Sequence, residues 1–155
     1  MAARTFSVPT GLNCIRCSKS FPLTAFSCHC DACASAGVAA NLTVAYVAPP
    51  SLKVGDLPSL PRSMWRYAAF LHARAEDAVS LGEGMTPLVP IDKLGIGPLW
   101  LKDESRNPTW SFKDRLASAA VTMAKRLGAK VIASSSSGNA GAATLPTLPA
   151  PACRA

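Results

Sequence analysis

Two pairs of cysteines near the start of the chain constrain its fold more strongly than any other feature. Cys14 and Cys17 form one Cys-x-x-Cys pair, Cys30 and Cys33 form a second, and twelve residues separate the pairs. Two short turns with this spacing can present four thiolates tetrahedrally to zinc, with Zn–S distances of about 2.3 Å. The spacing therefore predicts a zinc-ribbon-like module over residues 1–47, with these four cysteines as structural metal ligands.

The sequence leaves the ligand set open. Cys28 and His29 are rival ligands, because Cys28-His29-Cys30 offers a tighter second knuckle. The cysteines are also compatible with buried small apolar side chains or the remnant of a lost site. No general base beside an open metal position can be argued from these residues, so we expect a structural and not a catalytic role.

Composition and charge narrow the function classes. The chain has 155 residues, 49% of them hydrophobic and 16% charged, which is typical of a protein able to bury a core. Its net charge of +7 comes from scattered Lys and Arg without a basic run, so we expect no nucleic-acid partner. No segment approaches the roughly 20 apolar residues of a membrane helix, and residues 1–10 lack the pattern of a signal peptide. We therefore expect a cytoplasmic protein with reduced thiols and no membrane partner.

A proline-rich segment follows the cysteine module. Pro49, Pro50, Pro58 and Pro61 lie within residues 48–63, a density that cannot support a helix or a central strand. This segment is predicted to be a linker.

From residue 64 onward, helix and strand patterns alternate, which predicts an α/β domain. Apolar residues at spacings of three and four predict helices over residues 64–76 and 112–127. We expect a short strand over 99–102, a buried strand over 130–134, and a helix starting near Asn139 after a loop of small residues. The last strand, turn and helix would form half of a βαβ unit, where α/β proteins place ligands. His72, on the apolar side of the first helix, is interpreted as a packed residue and not as a ligand.

Two segments carry candidate chemistry. Lys113 lies at a loop-to-helix transition beside Phe112, where an amine can lose part of its solvation, as a Schiff-base lysine needs; a solvated surface lysine is the alternative. The loop Ser136-Ser137-Gly138 before Asn139 could hold an anion through hydroxyl and N–H groups, or it could be an ordinary capped connection. It has neither the ending of a nucleotide P-loop nor the GxGxxG of a Rossmann turn.

The order and gaps of four motifs resemble one enzyme family. Gly-Glu-Gly-Met-Thr-Pro-Leu at residues 82–88 precedes Leu-Lys-Asp-Glu at 101–104, the Asn-Pro-Thr-Trp-Ser-Phe-Lys-Asp-Arg run at 107–115, and Ser-Ser-Gly-Asn-Ala-Gly at 136–141. Together they resemble the threonine synthase-like members of the tryptophan synthase β-subunit-like family of pyridoxal phosphate enzymes. The resemblance covers residues 64–143. It implies an incomplete α/β fold of that family behind the zinc-ribbon-like module.

The resemblance implies a role for each matching residue. Lys113 would bind pyridoxal 5′-phosphate as a Schiff base and later move protons. Asn139 would hydrogen-bond the cofactor ring, and Phe112 would pack near it. Ser136, Ser137 and Gly138 would hold the substrate carboxylate. The motif at residues 82–88 would form a tight turn, and Asp114 and Arg115 would be structural.

The implied reaction is that of a carbon–oxygen lyase acting on phosphate, which converts O-phosphohomoserine and water to threonine and phosphate in threonine biosynthesis. A small amino acid would be the substrate. The resemblance is compatible with homo-oligomers among full-length relatives and leaves the oligomeric state open. A threonine dehydratase-like enzyme and a non-catalytic zinc-ribbon binding fragment are the alternatives.

Two departures from the family pattern predict that this chain is inactive by itself. Trp110 replaces a glycine three residues before the lysine, and its indole should clash with the cofactor or force the loop outward.

The proline-rich tail at residues 144–155 replaces an alanine-rich helix. Residues 145–154 can be encoded by bases that, read in a shifted frame, give Ala-Ala-Tyr-Ala-Ala-Arg-Ala-Gly-Leu-Pro, so a single-base frameshift near Thr144 is our hypothesis. The glycine-rich loop for the cofactor phosphate and the partner of the pyridine nitrogen would then be missing.

Overall fold

The N-terminal module is a small antiparallel sheet beside a short helix. The computed structural model describes residues 7–23, 29–47, 53–95 and 97–147. Strand β1 (Pro9–Cys14) lies between β2 (Ser20–Phe21) and β3 (Leu42–Tyr46), and helix α1 (Asp31–Ser35) follows the second cysteine pair. Among the described residues, the core of this module consists of Cys14, Cys30, Cys33 and Ala40, with Phe21 and Leu42 packed against it. A core this small is typical of a domain that needs a further stabilising element.

The segment predicted as a linker contains regular structure where it is described. Residues Val54–Ser59 form a 3-10 helix, and the Asp56 carboxylate accepts the Lys53 backbone N–H at 3.2 Å. Residues 48–52 lie outside the described part of the chain.

The prediction of one helix over residues 64–76 is wrong in form. A 3-10 segment, Met64–Phe70, which is kinked at Tyr67, and a 3-10 turn, Ala75–Asp77, occupy this segment instead. In a continuous helix these backbone carbonyls would accept hydrogen bonds from N–H groups of the same helix. Here they accept hydrogen bonds from residues far away in the sequence. Ser7 donates from its backbone N–H to Leu71 O at 2.8 Å and from its hydroxyl to Ala69 O at 2.9 Å, and the Arg126 guanidinium donates to His72 O.

The apolar face predicted for this segment is largely buried despite the different helix type. Trp65 is 2% exposed and Ala73 fully buried. His72 packs edge-on against Trp65 with ring centroids 6.0 Å apart, and burial lowers the pKa of His72. His72 is therefore a packed residue, as its position on the apolar face predicts.

The second sheet is a two-stranded antiparallel hairpin. Strand β4 (Leu88–Ile91) pairs with β5 (Leu99–Lys102), which confirms the strand predicted at residues 99–102. Helix α2 (Lys113–Arg126) confirms the helix predicted over residues 112–127, and α3 (Asn139–Thr147) packs against it. Pro146 lies inside α3, whose described part runs to Thr147. Residues 148–155 lie outside the described part of the chain.

The buried strand predicted at residues 130–134 is not observed. This segment has no regular structure, and Val131 is 77% exposed. A strand forms only where a neighbour accepts its ladder hydrogen bonds, and in the described ranges no strand lies beside it. The predicted βαβ half-unit is therefore absent from the described residues, although the chain combines sheets and helices.

Helix α2 buries a different face from the one its large apolar residues suggest. Leu116 and Leu127, which mark the apolar period, are more than half exposed. The buried residues of α2 are instead small or polar: Asp114, Ala117, Ser118, Val121 and Thr122. Small hydroxyl side chains let the preceding segment approach closely: Trp65 Nε1 donates to Ser118 Oγ at 2.8 Å, and the Val79 N–H donates to Thr122 Oγ1 at 2.9 Å.

Candidate functional site

The candidate lysine is the first residue of helix α2. Lys113 is half-buried, and its Nζ lies 4.7 Å from the centroid of the Phe112 ring. Phe112 itself is 56% exposed, so one side of the ring is available to another molecule. The backbone N–H of Lys113 donates to Ser111 Oγ at 3.2 Å. The ammonium group therefore lies at a helix start beside an aromatic face, as the sequence predicts.

A buried carboxylate shapes the loop before the lysine. Asp114 is 1% exposed and accepts the Thr109 backbone N–H at 2.7 Å and the Thr109 hydroxyl. A carboxylate in the first turn of a helix also interacts favourably with the helix dipole. Asp114 therefore fixes the loop relative to the helix that carries Lys113, which is the structural role that the sequence predicts.

The tight turn before Lys113 contains a residue in a left-handed conformation. Trp110 has φ +58°, and its N–H donates to Asn107 O at 2.8 Å. This is a conformation that glycine adopts readily and other residues adopt at a cost. The indole is 82% exposed, so the turn keeps a glycine-like backbone and directs the side chain outward.

A polar network joins this loop to the motif at residues 82–88. Asn107 is 2% exposed; its Oδ1 accepts the Gly84 N–H at 3.0 Å, and its Nδ2 donates to Glu104 Oε2 at 2.9 Å. Glu104 also accepts hydrogen bonds from Arg115 and from the Thr86 hydroxyl. Chiefly because of the Arg115 contact, the pKa of Glu104 is lowered to about 2. One partly buried network therefore holds together the motifs at residues 82–88, 101–104 and 107–115.

The turn expected at residues 82–88 is present. Gly82, Gly84 and Met85 all have positive φ. A Cβ at Gly84 would lie 2.6 Å from the Met64 backbone nitrogen, so only glycine fits at this approach. This contact places the turn against the 3-10 helix that starts at Met64.

The second predicted loop is exposed at the start of α3. Ser136, Ser137, Gly138 and Asn139 are all exposed, and the Gly138 N–H donates to Ser136 Oγ at 3.2 Å. Gly141 permits this arrangement, since a Cβ there would lie 2.4 Å from Ser136 O. The loop therefore presents hydroxyl and amide groups to solvent beside a helix N-terminus, which is an arrangement suited to an anion.

The two predicted parts of the site lie on neighbouring helices. Lys113 opens α2, Asn139 opens α3, and the helices pack against each other. In the described part of the chain, no hydrogen bond or ion pair joins Lys113 to Asn139 or to the serines of its loop. The roles of these residues towards a cofactor and a substrate remain predictions.

The four predicted metal ligands are brought together in the N-terminal module. The sulfurs of Cys14, Cys17, Cys30 and Cys33 all lie within 4.8 Å of one another. The Cys14–Cys33 and Cys17–Cys30 sulfur pairs are 3.8 and 3.7 Å apart, and all four thiols are free. Tetrahedral zinc with arms of about 2.3 Å requires sulfur–sulfur distances of about 3.8 Å, so the geometry fits that ion.

The first knuckle stabilises a thiolate through the backbone. The N–H groups of Cys17 and Arg16 donate to Cys14 Sγ at 3.4 and 3.3 Å. Mainly because of the Cys17 contact, the pKa of Cys14 is lowered to about 6. Burial has the opposite effect at Cys33 and raises its pKa to about 12. His29, a rival ligand by sequence, has its Nε2 3.4 Å from Asp31 and is not part of the cluster, and Cys28 lies outside the described residues.

Comparisons with known proteins agree with the motifs around Lys113. Residues 79–145 match the family described as pyridoxal-phosphate dependent enzyme. A threonine synthase from Methanocaldococcus jannaschii is 33% identical over 136 residues, which cover 83% of this chain and 32% of that protein. Residues 79–145 of this chain are therefore part of a pyridoxal-phosphate-dependent enzyme domain.

Other relatives match shorter parts of the chain. A threonine synthase from Methanosarcina acetivorans is 45% identical over 85 residues, covering 52% of this chain and 21% of that protein. A 2-amino-4-ketopentanoate thiolase beta subunit from Acetoanaerobium sticklandii is 40% identical over 75 residues, covering 41% of this chain and 16% of that protein. The chain spans between about a sixth and a third of the length of these relatives. No solved structure matches the chain significantly.

Sequence reasoning missed the network centred on Glu104. Thr86 and Arg115, which are hydrogen-bonded to each other in this network, are 29 positions apart, and residues at such separations show no periodic pattern. The signal that could have found it is the presence of Glu104, Asn107 and Arg115 within matched motifs, since motif residues that do no chemistry usually hold a loop.

In the described residues, no helix is long and apolar enough to cross a membrane.

Proposed function

We propose that this chain carries the first part of a threonine synthase, with Lys113 as the residue that binds pyridoxal 5′-phosphate. The proposed reaction of the whole enzyme converts O-phosphohomoserine and water to threonine and phosphate. The observation that carries the proposal is the position of Lys113 at the start of α2, behind a loop that Asp114 and Asn107 hold in place. The threonine synthase relatives, which match at 33–45% identity, support the substrate class.

The residues near Lys113 are suited to the family chemistry. Bound pyridoxal phosphate supplies an electron sink for carbanion chemistry at an amino-acid substrate. Lys113 would hold the cofactor and move protons at its Nζ, and the exposed face of Phe112 would cover one side of the ring. The hydroxyls and N–H groups of Ser136, Ser137 and Gly138 would bind the substrate carboxylate, and Asn139 would orient the ring.

Cofactor binding by the full chain tests this proposal. Adding pyridoxal phosphate should give a yellow protein, and Lys113→Ala should abolish the colour, because it removes the amine that forms the Schiff base with the cofactor. Lys130→Ala is the matched control, since Lys130 is an exposed lysine outside the proposed site. Colour that persists in Lys113→Ala, or that is lost equally in Lys130→Ala, would contradict the assignment.

Turnover should require parts of the enzyme that this chain does not span. The chain covers between about a fifth and a third of the threonine synthases that it matches, so we expect no phosphate release from O-phosphohomoserine by this chain alone. A version extended to the length of the relatives should release phosphate in a Lys113-dependent manner. Phosphate release by an extended Lys113→Ala variant would overturn the role of this lysine.

The N-terminal module supports a second role, which is structural zinc binding. The observation that favours it is the pair of sulfur–sulfur distances at 3.7 and 3.8 Å. Purified protein should carry one zinc per chain, and Cys30→Ser should release it because three thiolates bind zinc more weakly than four. Cys153→Ser, at a cysteine far along the chain from both pairs, is the control and should retain the metal. Equal zinc content in Cys30→Ser and the unmodified chain would contradict the site.

A further inference from the structure

We propose that a basic cavity beside the candidate site binds the phosphate group of a small phosphorylated metabolite. The cavity has a volume of about 270 Å³ and lies between the 3-10 helix Met64–Phe70, the turn at Met85, strand β5 and helix α2. Three cationic side chains line it: Arg66, Lys102 and Arg115. This volume is close to the lower end of the range for small-molecule sites, about 300 Å³.

Two of the three cations have no carboxylate partner. Arg115 is paired with Glu104, with Nε–Oε2 at 2.7 Å. Neither Arg66 nor Lys102 forms an ion pair within the part of the chain that the structure describes. The cavity therefore carries an excess of positive charge, which attracts an anion.

The hydrogen-bonding groups of these cations are only partly used. Lys102 Nζ donates to Thr86 O, which leaves two further N–H donors on the ammonium. Arg66 donates to Leu57 O at 2.5 Å and to Met85 Sδ at 2.9 Å, both uncharged acceptors. Its Nε is buried and has no hydrogen-bond partner among the described residues. Among the described residues Arg66 is therefore hydrogen-bonded only to uncharged groups, which leave its positive charge unneutralised.

A phosphate group fits this arrangement better than a carboxylate does. The cations come from three separate elements, so their donors approach from different directions. A phosphate has three or four oxygens arranged in three dimensions, whereas a carboxylate has two oxygens in one plane. Tyr67, which also lines the cavity and is 45% exposed, offers an aromatic wall for the organic part of the ligand.

This cavity is distinct from the position of Lys113. Residues two apart on a helix point in nearly opposite directions, so Lys113 and Arg115 face different sides of α2. Arg115 lines the cavity and Lys113 does not. Failure of phosphate binding here would leave the cofactor assignment to Lys113 unaffected, and the reverse also holds.

Calorimetric titration of the full chain with inorganic phosphate at low ionic strength tests the proposal. We expect saturable binding that weakens at least about tenfold in Lys102→Gln, because one charged donor is lost. Lys102→Arg should retain it. Lys130→Gln makes the same charge change at an exposed residue outside the cavity and should bind like the unmodified chain. An equal loss in Lys130→Gln, or no saturable binding by the folded chain, would overturn the site.

Two further titrations define the ligand class. Arg66→Gln, checked for native circular dichroism, should also weaken phosphate binding at least about tenfold. O-phosphoserine should bind at least as tightly as inorganic phosphate, and acetate at the same ionic strength should bind more weakly. Acetate binding as tight as phosphate binding would overturn the assignment to a phosphate group.

Discussion

Arg115 donates two hydrogen bonds to the carboxylate of Glu104, one from Nε to Oε2 at 2.7 Å and one from Nη2 to Oε1 at 2.9 Å. The two side chains belong to α2 and to the 3-10 helix Glu104–Arg106, which follows β5. This bidentate pair therefore connects the hairpin to the helix that begins at Lys113. Because the pair is partly buried, it should contribute more than an exposed ion pair does.

Acid should weaken the fold through Glu104. Its pKa in the folded chain is about 2, below its ordinary value of 4.5, so its stabilising contribution is complete above about pH 4.5 and is lost as the pH falls towards 2. The contribution is on the order of 2–3 kcal/mol. Urea unfolding at about pH 6 and about pH 3 should show a smaller loss of stability on acidification in Glu104→Gln than in the unmodified chain. The same loss in both proteins would rule out this role.

Replacing Trp110 by glycine should stabilise the chain. The φ of +58° costs a non-glycine residue about 1–2 kcal/mol of folding stability. Glycine relieves this strain but loses more backbone entropy on folding, which offsets about 0.5–1 kcal/mol of the gain. Since the indole is 82% exposed, little packing is lost, and a net gain of about 0.5–1 kcal/mol is expected. Thermal unfolding measures it. Trp110→Ala is the control, because it removes the indole and keeps the Cβ; an equal gain there would show that backbone strain is not the cause.

Gly141→Ala should disturb the loop at residues 136–138. The new Cβ would lie 2.4 Å from Ser136 O, so the loop or the helix must move, at a cost of about 1–3 kcal/mol. Gly138→Ala is the matched control, since a Cβ at Gly138 meets no atom within 4 Å. Urea unfolding and pyridoxal phosphate affinity should both fall in Gly141→Ala and change little in Gly138→Ala. Equal effects of the two substitutions would contradict the close packing described for Gly141.

Removing zinc should destabilise the N-terminal module selectively. Its core is built around Cys14, Cys30 and Cys33, so metal binding and folding of this module are expected to be coupled. A chelator should increase amide hydrogen exchange in β1 and β3 and leave α2 unchanged. Zinc affinity should also fall as the pH is lowered, because protons compete for the thiolates. Unchanged exchange in β1 and β3 after complete metal removal would show that the ion does not support the fold.

Local sequence patterns predicted the elements that depend on local interactions. The apolar period placed α2, and the spacing of the two cysteine pairs predicted the cluster of four sulfurs. The glycine expected by the family pattern at position 110 is explained by the left-handed turn that Trp110 adopts. In each case, the residues that determine the structure lie close together in the sequence or in two short motifs of fixed spacing.

Predictions that needed a distant partner failed. Residues 130–134 have the composition of a buried strand, but in the described part of the chain no strand pairs with them. The segment from Met64 is not a single α-helix because Ser7 and Arg126 bind its carbonyls, and nothing in its own sequence shows this. The buried face of α2 depends on hydroxyl contacts of Ser118 and Thr122, which a hydrophobic period cannot reveal.

Locating the site of covalent cofactor attachment tests most directly whether Lys113 binds pyridoxal phosphate. The chain is incubated with pyridoxal phosphate and reduced with borohydride, and its peptides are mapped by mass spectrometry to locate the pyridoxyl group on a lysine nitrogen. Lys113 should be modified in preference to Lys102 and Lys130. Modification spread evenly over exposed lysines, or concentrated at another lysine while Lys113 stays unmodified, would contradict it.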